Sequence, residues 1–220
     1  MPESLYGAIF DMDGVIADTG WAHKQAWVEF ARMHGAEFTD EDFFRTFGMQ
    51  NYQIIPIVLG HEVPLEEIGP MGDWKEQRYR QIVSQNLTAP DGLAALLADL
   101  KAHGFRIAVG SSAPKVNIDL VLDRLGIRGS FDAIVYGDMV SRGKPAPDTF
   151  LEAAEKLGVP PDRCIVVEDA IPGVQAGKAA GMAVMAITTT RTRQDLAQAD
   201  RVIDRFTEVT ASDFIRLISS

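Results

Sequence analysis

The chain has 220 residues, of which 46% are hydrophobic and 24% are charged, and these are the proportions of an ordinary globular protein rather than of a disordered or fibrous one. The formal net charge of -10 opposes binding to nucleic acid and to anionic membrane surfaces, so we expect neither as a partner. A small phosphorylated ligand is compatible with that charge, because a bound metal and a few cations can reverse the local field.

The sequence shows no leader-like N-terminus and no run approaching the roughly eighteen apolar residues of a membrane span. We therefore expect a soluble cytoplasmic protein that is a monomer or a weak homo-oligomer. Cys164 is the only cysteine, so no internal disulfide can form. Its place at the start of an apolar run predicts a buried thiol.

The first predicted element is a buried strand over residues 5–10, an apolar run that stops at Asp11. Asp11 and Asp13 then lie at the carboxyl end of a strand, where open α/β sheets bind ligands, and strand alternation directs both toward one side of the loop. Adjacent carboxylates repel each other, and oxygen ligands without histidine or cysteine favour Mg²⁺ as the cation between them. An ionised aspartate beside that metal can attack phosphorus. The alternative is a polar turn, because Asp and Gly are common turn residues.

A helical pattern interrupted by glycine and proline, among them Gly69-Pro70 and Gly72, follows this strand. No apolar run of the buried-strand kind occurs between this strand and residue 88. We predict an all-helical domain over residues 16–88, inserted into a sheet domain formed by residues 1–15 and 89–220.

The first helix of the insertion is predicted to be capped by Asp18 or Thr19 and to end near Met33. His23 and Trp27 are four residues apart and so share one face of it. Trp27 is typical of a core position. His23 is close enough in sequence to the first acids to overhang their site.

Strands and helices alternate in the rest of the chain, which predicts an α/β fold with a parallel sheet and right-handed crossovers. The predicted strands are 105–109, 133–136, 165–167 and 183–187. The predicted helices are 93–103, 116–125, 147–157 and about 172–180.

Polar side chains again follow the predicted strands. Ser111 and Ser112 precede a helix, where hydroxyls and free amides can bind a phosphate, although a serine there can also simply cap the helix. Lys144 lies between residues that stiffen the backbone, which favours an anchored cation over a solvated one. Glu168 and Asp169 end a buried strand, and two pairs of acids at one sheet edge are understandable as a magnesium site.

Taken in order, these segments resemble the four motifs of the haloacid dehalogenase-like superfamily. The motifs are Asp11-Met12-Asp13-Gly14-Val15, Ser111, Lys144-Pro145 and Glu168-Asp169. The resemblance covers almost the whole chain, and the insertion resembles the helical cap of the subgroup that contains β-phosphoglucomutase and many small-molecule phosphatases. It implies a Rossmann-like sheet with a mobile cap.

The resemblance also implies phosphoryl transfer through an aspartyl-phosphate. Asp11 would attack phosphorus, while Asp13 would protonate the leaving oxygen and later activate water. Ser111 and Lys144 would hold the phosphoryl oxygens, and Mg²⁺ would neutralise negative charge in the transition state. The implied metal ligands are Asp11, the carbonyl of Asp13, Glu168 and Asp169.

In the insertion, His23, Trp27 and Lys75 stand where β-phosphoglucomutase has like residues, which favours a sugar phosphate. Asn51 stands where the mutase has an arginine for the second phosphate, and a neutral amide cannot make that charge-assisted contact. We also assign Ser112 to substrate binding.

We therefore expect a Mg²⁺-dependent phosphatase acting on a small phosphomonoester. A sugar phosphomutase is the alternative. A binding protein that keeps the fold without the chemistry is disfavoured because both motif acids are present, and the same acids disfavour a dehalogenase.

Overall fold

The computed structural model describes residues 5–219, and a six-stranded parallel sheet forms its centre. The strands are β1 (Tyr6–Phe10), β2 (Phe105–Gly110), β3 (Ala133–Val135), β4 (Cys164–Glu168), β5 (Ala183–Ile187) and β6 (Arg201–Ile203). Their order is β3-β2-β1-β4-β5-β6. From β1 the chain adds β2 and β3 on one side, and it then crosses to the other side of β1 to add β4, β5 and β6. The carboxyl end of β1 is therefore a topological switch point, the place where such sheets bind ligands. The predicted α/β class with a parallel sheet is confirmed.

Helices cover both faces of the sheet. They are α1 (Gly20–Met33), α2 (Asp40–Thr46), α3 (Asn51–Leu59), α4 (Leu65–Val83), α5 (Leu93–Ala102), α6 (Lys115–Leu125), α7 (Asp148–Leu157), α8 (Ile171–Ala179) and α9 (Ala211–Ile218). Consecutive strand residues serve opposite faces: Phe10 packs in one apolar cluster with residues of α5 and α9, and Ile9 packs in another with residues of α7 and α8. This two-sided burial explains why the strands are continuous apolar runs.

The helices α1 to α4 lie between β1 and β2, a stretch in which no strand occurs among the described residues. They have an apolar cluster of their own, which includes Trp27, Phe30 and Ile55. Tyr79 and Ile82 of α4 pack with Ala22 and Ala26 of α1 in a further cluster. The division of the chain at residues 16 and 88 stays a prediction.

The insertion differs from the sequence prediction at two points. α4 runs unbroken from Leu65 to Val83 with Pro70 inside it, although the glycines and proline predicted an interruption. The apolar face of α4 packs on α1, and this burial outweighs the local preference against the helix. Thr19 occupies the N-cap position of α1, but its side chain makes no capping hydrogen bond and donates to Asp13 instead.

Among the helices within residues 5–219, none combines the length and the apolar character needed to cross a bilayer.

Candidate active site

Three strand-end residues meet at the carboxyl edge of the sheet. Asp11 follows β1, and its backbone N–H donates to the carbonyl of Val167 in β4 at 3.0 Å. Ser111 follows β2, and its backbone N–H donates to the carbonyl of Val135 in β3 at 3.1 Å. Glu168 is the last residue of β4. Because the hydrogen bonding continues one residue past β1 and β2, these side chains are fixed at one edge.

Lys144 reaches this edge from the segment before α7 and is completely buried. Its Nζ donates to Asp11 Oδ1 at 2.7 Å and to Glu168 Oε1 at 2.6 Å. Burial by itself would lower the pKa of Lys144, but the two carboxylates outweigh it and raise that pKa, so the side chain is a fixed cation. Lys144 is therefore an anchored cation, and the alternative of a solvated lysine is wrong for this position.

Asp11, Glu168 and Asp169 form what we name the acidic cluster, with one carboxylate oxygen of each within 4.8 Å of the others. Burial raises the pKa of Asp11 to about 7, against the opposing attraction of Lys144. Burial also raises the pKa of Asp169 well above its ordinary value, and the charge of Glu168 adds to that rise. Ionising all three carboxyl groups beside a single lysine is therefore unfavourable unless a further cation is present.

The acidic cluster fits a hard divalent cation. Glu168 Oε2 accepts hydrogen bonds from the backbone N–H groups of Asp169 at 2.8 Å and Ala170 at 2.9 Å. Asp169 Oδ2 accepts from Thr190 Oγ1 at 2.6 Å, but the buried Oδ1 of Asp169 has no hydrogen-bond partner. Carboxylate oxygens such as those of these three acids are the ligands that Mg²⁺ prefers. A bound cation would also give the unpartnered Oδ1 of Asp169 a partner.

Two glycines make room for these carboxylates. A Cβ on Gly14 would lie 1.8 Å from Asp169 Oδ2, and Gly14 also has a φ of +83°, which disfavours other residues. A Cβ on Gly173 would lie 1.7 Å from Glu168 Oε1. Both positions require glycine so that the acids can turn toward Asp11.

Asp13 has separate partners and does not belong to the acidic cluster. Thr19 Oγ1 donates to its Oδ1 at 2.5 Å, Tyr79 OH donates to the same oxygen at 3.3 Å, and His23 Nε2 lies 3.1 Å from it. Burial alone would raise the pKa of Asp13, but His23 and Thr19 outweigh it and lower that pKa. The two motif acids therefore have opposite electrostatic environments.

Behind His23 lies a chain of buried polar groups, which we name the insertion network: His23, Lys75, Glu76 and Asn117. Lys75 Nζ donates to His23 Nδ1 at 2.8 Å and to Glu76 Oε1 at 2.8 Å. Asn117 Nδ2 donates to Glu76 Oε2 at 2.6 Å. The network joins α1 and α4 of the insertion to α6 of the sheet region.

A cavity of about 50 Å³ lies between the sheet edge and the insertion. Eight of the sequence-predicted residues line it, which are Asp11, Asp13, His23, Trp27, Asn51, Lys75, Ser111 and Ser112. Lys144, Glu168 and Asp169 are completely buried at the sheet edge and do not line it. Small-molecule sites usually measure about 300–1,000 Å³, so this cavity is smaller than such a site.

Hydrogen bonds between insertion and sheet region close this cavity. Gln50 Nε2 donates to the carbonyl of Gly137 at 2.8 Å, and Ser112 Oγ donates to the carbonyl of Gly48 at 2.9 Å. The hydroxyl proton of Ser112 is thus used by the insertion backbone. Ser111 Oγ accepts from the backbone N–H of Ala113 at 3.1 Å, which is a local turn contact. The N-cap of α6 is Pro114 and no side chain caps this helix, so the alternative that a serine caps it is wrong.

Sequence reasoning missed Thr19, Tyr79, Glu76, Asn117 and Thr190 as neighbours of the site. Thr19 carried a signal, since a hydroxyl six residues after Asp13 suggested a helix cap, and its true partner is that acid. Glu76 directly follows the predicted Lys75, and that adjacency was its only signal. Tyr79, Asn117 and Thr190 carried none, because their contacts join positions far apart in the chain.

Comparison with known proteins agrees with this geometry. The family model of haloacid dehalogenase-like hydrolases matches residues 7–181, and the chain belongs to that family. The fructose-1-phosphate phosphatase of Escherichia coli is 36% identical over 183 residues, which are 83% of this chain and 96% of that protein. The β-phosphoglucomutase of Bacillus subtilis is 33% identical over 214 residues, which are 94% of this chain and 92% of the relative.

Among solved structures, β-phosphoglucomutase from Clostridium difficile has a TM-score of 0.89 and 27% identity, covering 98% of this chain and 97% of the other. The predicted resemblance to the haloacid dehalogenase-like superfamily and its β-phosphoglucomutase-like subgroup is confirmed. The relatives include both phosphatases and phosphomutases, which supports a phosphoryl-transfer enzyme.

Proposed function

We propose that this protein is a Mg²⁺-dependent phosphatase that hydrolyses a small phosphomonoester, a phosphorylated sugar, through an aspartyl-phosphate. The observation that carries the proposal is the separation of the two motif acids. Asp11 lies in the acidic cluster beside Lys144, whereas Asp13 lies outside it among hydrogen-bond donors. This separation supports attack on phosphorus by Asp11 and proton transfer by Asp13.

In the first step, an oxygen of Asp11 forms a bond to phosphorus while the bond to the leaving oxygen breaks. Asp13 gives its proton to that oxygen. Burial would raise the pKa of Asp13, but His23 and Thr19 outweigh burial and lower it. A phosphate dianion bound beside Asp13 would favour its protonated form, because like charges repel. In the second step, Asp13 takes a proton from water, which attacks the phosphorus and releases phosphate and Asp11.

The remaining groups hold charge. Lys144 and Ser111 bind the phosphoryl oxygens. The residues that would hold Mg²⁺ are Asp11, Glu168 and Asp169, together with the backbone carbonyl of Asp13. When bound there, Mg²⁺ supplies positive charge that stabilises the phosphoryl oxygens in the transition state.

The substrate-facing side favours hydrolysis over mutase activity. A second cavity of about 340 Å³ adjoins the first, with Asn51, Glu76 and Ser112 shared between their linings. Asp73 and Asp138 also line it, and no Lys, Arg or His does so among the described residues. Lys75, in the first cavity, is already bonded to His23 and Glu76. A second phosphate would meet carboxylates and a neutral amide there, so a bisphosphate is disfavoured.

A screen of phosphorylated metabolites with Mg²⁺, measuring phosphate release, tests this proposal. We expect release from sugar monophosphates, in the wild type and not in Asp11→Asn. Turnover that survives in Asp11→Asn would rule out the aspartyl-phosphate route. The sugar phosphomutase stays the second candidate because of the likeness to β-phosphoglucomutase structures. Interconversion of β-glucose 1-phosphate and glucose 6-phosphate, primed with glucose 1,6-bisphosphate and without phosphate release, would favour it.

A further inference from the structure

Asn117 is an asparagine in the first turn of α6 and is completely buried. Its Nδ2 donates to Glu76 Oε2 at 2.6 Å, and its Oδ1 accepts from Arg80 Nη1 at 2.8 Å. Both partners belong to α4 of the insertion. Burying an amide is unfavourable unless it is hydrogen-bonded, so this side chain specifies one position of α4 on α6.

From Glu76, the contacts lead to the active site in three steps. Glu76 Oε1 accepts from Lys75, Lys75 donates to His23 Nδ1, and His23 Nε2 lies beside Asp13. An ammonium group has no lone pair, so Nδ1 must be the acceptor. With Nδ1 as the acceptor, the ring proton of His23 is on Nε2, which lies 3.1 Å from Asp13 Oδ1. The tautomer of His23 depends on where Lys75 is held.

Glu76 holds Lys75 as a charged partner. Burial would raise the pKa of Glu76, but the charge and the hydrogen bond of Lys75 outweigh it and lower that pKa, with a further contribution from the hydrogen bond of Asn117. The carboxylate thus remains ionised while almost wholly enclosed. Such a group keeps its place only while each of its oxygens has a donor, and Asn117 is the donor to Oε2.

We propose that Asn117 is a positioning residue: by holding Glu76 it fixes Lys75 and His23, and through them the orientation of Asp13 as proton donor to the leaving group. This inference rests on the proposed function and deepens it. It assigns a specific task to a side chain of α6 that lines neither cavity.

The test is Asn117→Asp, which keeps the acceptor for Arg80 but replaces the donor to Glu76 by a repelling carboxylate. We compare kcat/KM for the sugar phosphate hydrolysed fastest in the screen with kcat/KM for p-nitrophenyl phosphate. A sugar alkoxide needs a proton to leave, whereas p-nitrophenolate leaves as an anion. We expect a loss of about 10–100-fold on the sugar phosphate and of less than about threefold on p-nitrophenyl phosphate.

A charge-conserving swap provides the rescue. In Asn117→Asp with Glu76→Gln, the glutamine amide donates to the new carboxylate and its oxygen still accepts from Lys75. We expect kcat/KM for the sugar phosphate to be at least about tenfold higher in this double variant than in Asn117→Asp. Arg78→Met is the matched control, because Arg78 joins α4 to Glu29 of α1 at 2.5 and 3.0 Å outside the network. Its ratio of the two kcat/KM values should stay at the wild-type value.

Equal loss on both substrates, no loss on either, or the same selective loss in Arg78→Met would each overturn the assignment. Unfolding is monitored by thermal melting. If Asn117→Asp does not fold, Glu76→Gln alone decides by the same ratio, since its new amide group faces the Nδ2 donor of Asn117 while the side-chain volume is kept. These outcomes are distinct from failure of the proposed function, which is read from Asp11→Asn.

Discussion

Two buried ionic groups lie on either side of the candidate active site, and they are built differently. The acidic cluster is formed by strand-end residues of the sheet and has three carboxylates against the single ammonium of Lys144. The insertion network links α1, α4 and α6, and its one internal carboxylate, Glu76, is matched by Lys75. The first leaves a buried oxygen of Asp169 without a partner. In the second, both oxygens of Glu76 are hydrogen-bonded, and the atom without a hydrogen-bond partner is Nε2 of His23, which lies 3.1 Å from Asp13 Oδ1.

This contrast separates two tasks. An excess of buried carboxyl groups over cations, together with an orphaned oxygen, suits the binding of a metal cation. A balanced chain of hydrogen bonds suits the holding of a proton donor in one orientation. Substitutions in the two groups should therefore differ both in which property they change and in how large the effect is.

The largest effect is expected for Asp11→Asn in the acidic cluster. It removes the nucleophile while keeping the shape of the side chain, so we expect kcat to fall by about 10⁴-fold or more on every phosphomonoester. The measurement is phosphate release with Mg²⁺ in excess. Asp162→Asn, the same change at an exposed position before β4, should leave kcat unchanged. Survival of more than a tenth of the activity in Asp11→Asn would contradict the assignment.

Asp13→Asn should have a smaller and substrate-dependent effect. The amide cannot give a proton to an alkoxide, so kcat/KM for a sugar phosphate should fall by about 10²–10⁴-fold. The loss of kcat/KM for p-nitrophenyl phosphate should be clearly smaller. Equal losses on both substrates would mean that Asp13 acts on the phosphoryl group rather than on the leaving oxygen.

Metal removal should affect the acidic cluster alone. A chelator should abolish activity, and Mg²⁺ at about 100 times its Kd should stabilise the fold by about 2.7 kcal/mol. For a chain of this size we expect a rise in Tm of about 5–10 °C. Asp169→Asn should lose this rise, whereas Asp13→Asn should keep most of it because its carbonyl remains. A rise retained in Asp169→Asn would place the cation elsewhere.

The smallest effect is a pH-dependent loss of stability in Glu76→Gln. Burial opposes ionisation of Glu76, but Lys75 and the hydrogen bond of Asn117 lower its pKa below the ordinary 4.5. The stabilisation by Glu76 is therefore complete above pH 4.5 and is lost as the pH falls through the lower value. We expect the variant to be less stable by about 1–3 kcal/mol at neutral pH, with the difference shrinking in acid.

Urea unfolding at pH 7 and at pH 3.5 measures this difference. Glu67→Gln, an exposed change on the same helix, should show none at either pH. A difference that stayed constant across the two pH values would show that the charge of Glu76 contributes nothing to the fold.

The sheet and its edge could be predicted because parallel strands put their carboxyl ends together. A run such as residues 164–167 is apolar throughout because both faces are covered, and the acid that follows it must lie at the ligand-binding edge. The final strand β6 and helix α9 were not predicted. β6 has only three residues, too few to show a period.

The sequence alone thus determined the fold class, the placement of four motif segments at one edge and the excess of acids that calls for a cation. Only the tertiary structure decided what each acid contacts. Asp11 and Asp13 are chemically identical and almost adjacent, and they differ because packing brings Lys144 to one and Thr19, His23 and Tyr79 to the other. Burial makes such contacts strong, and burial is a property of the folded chain.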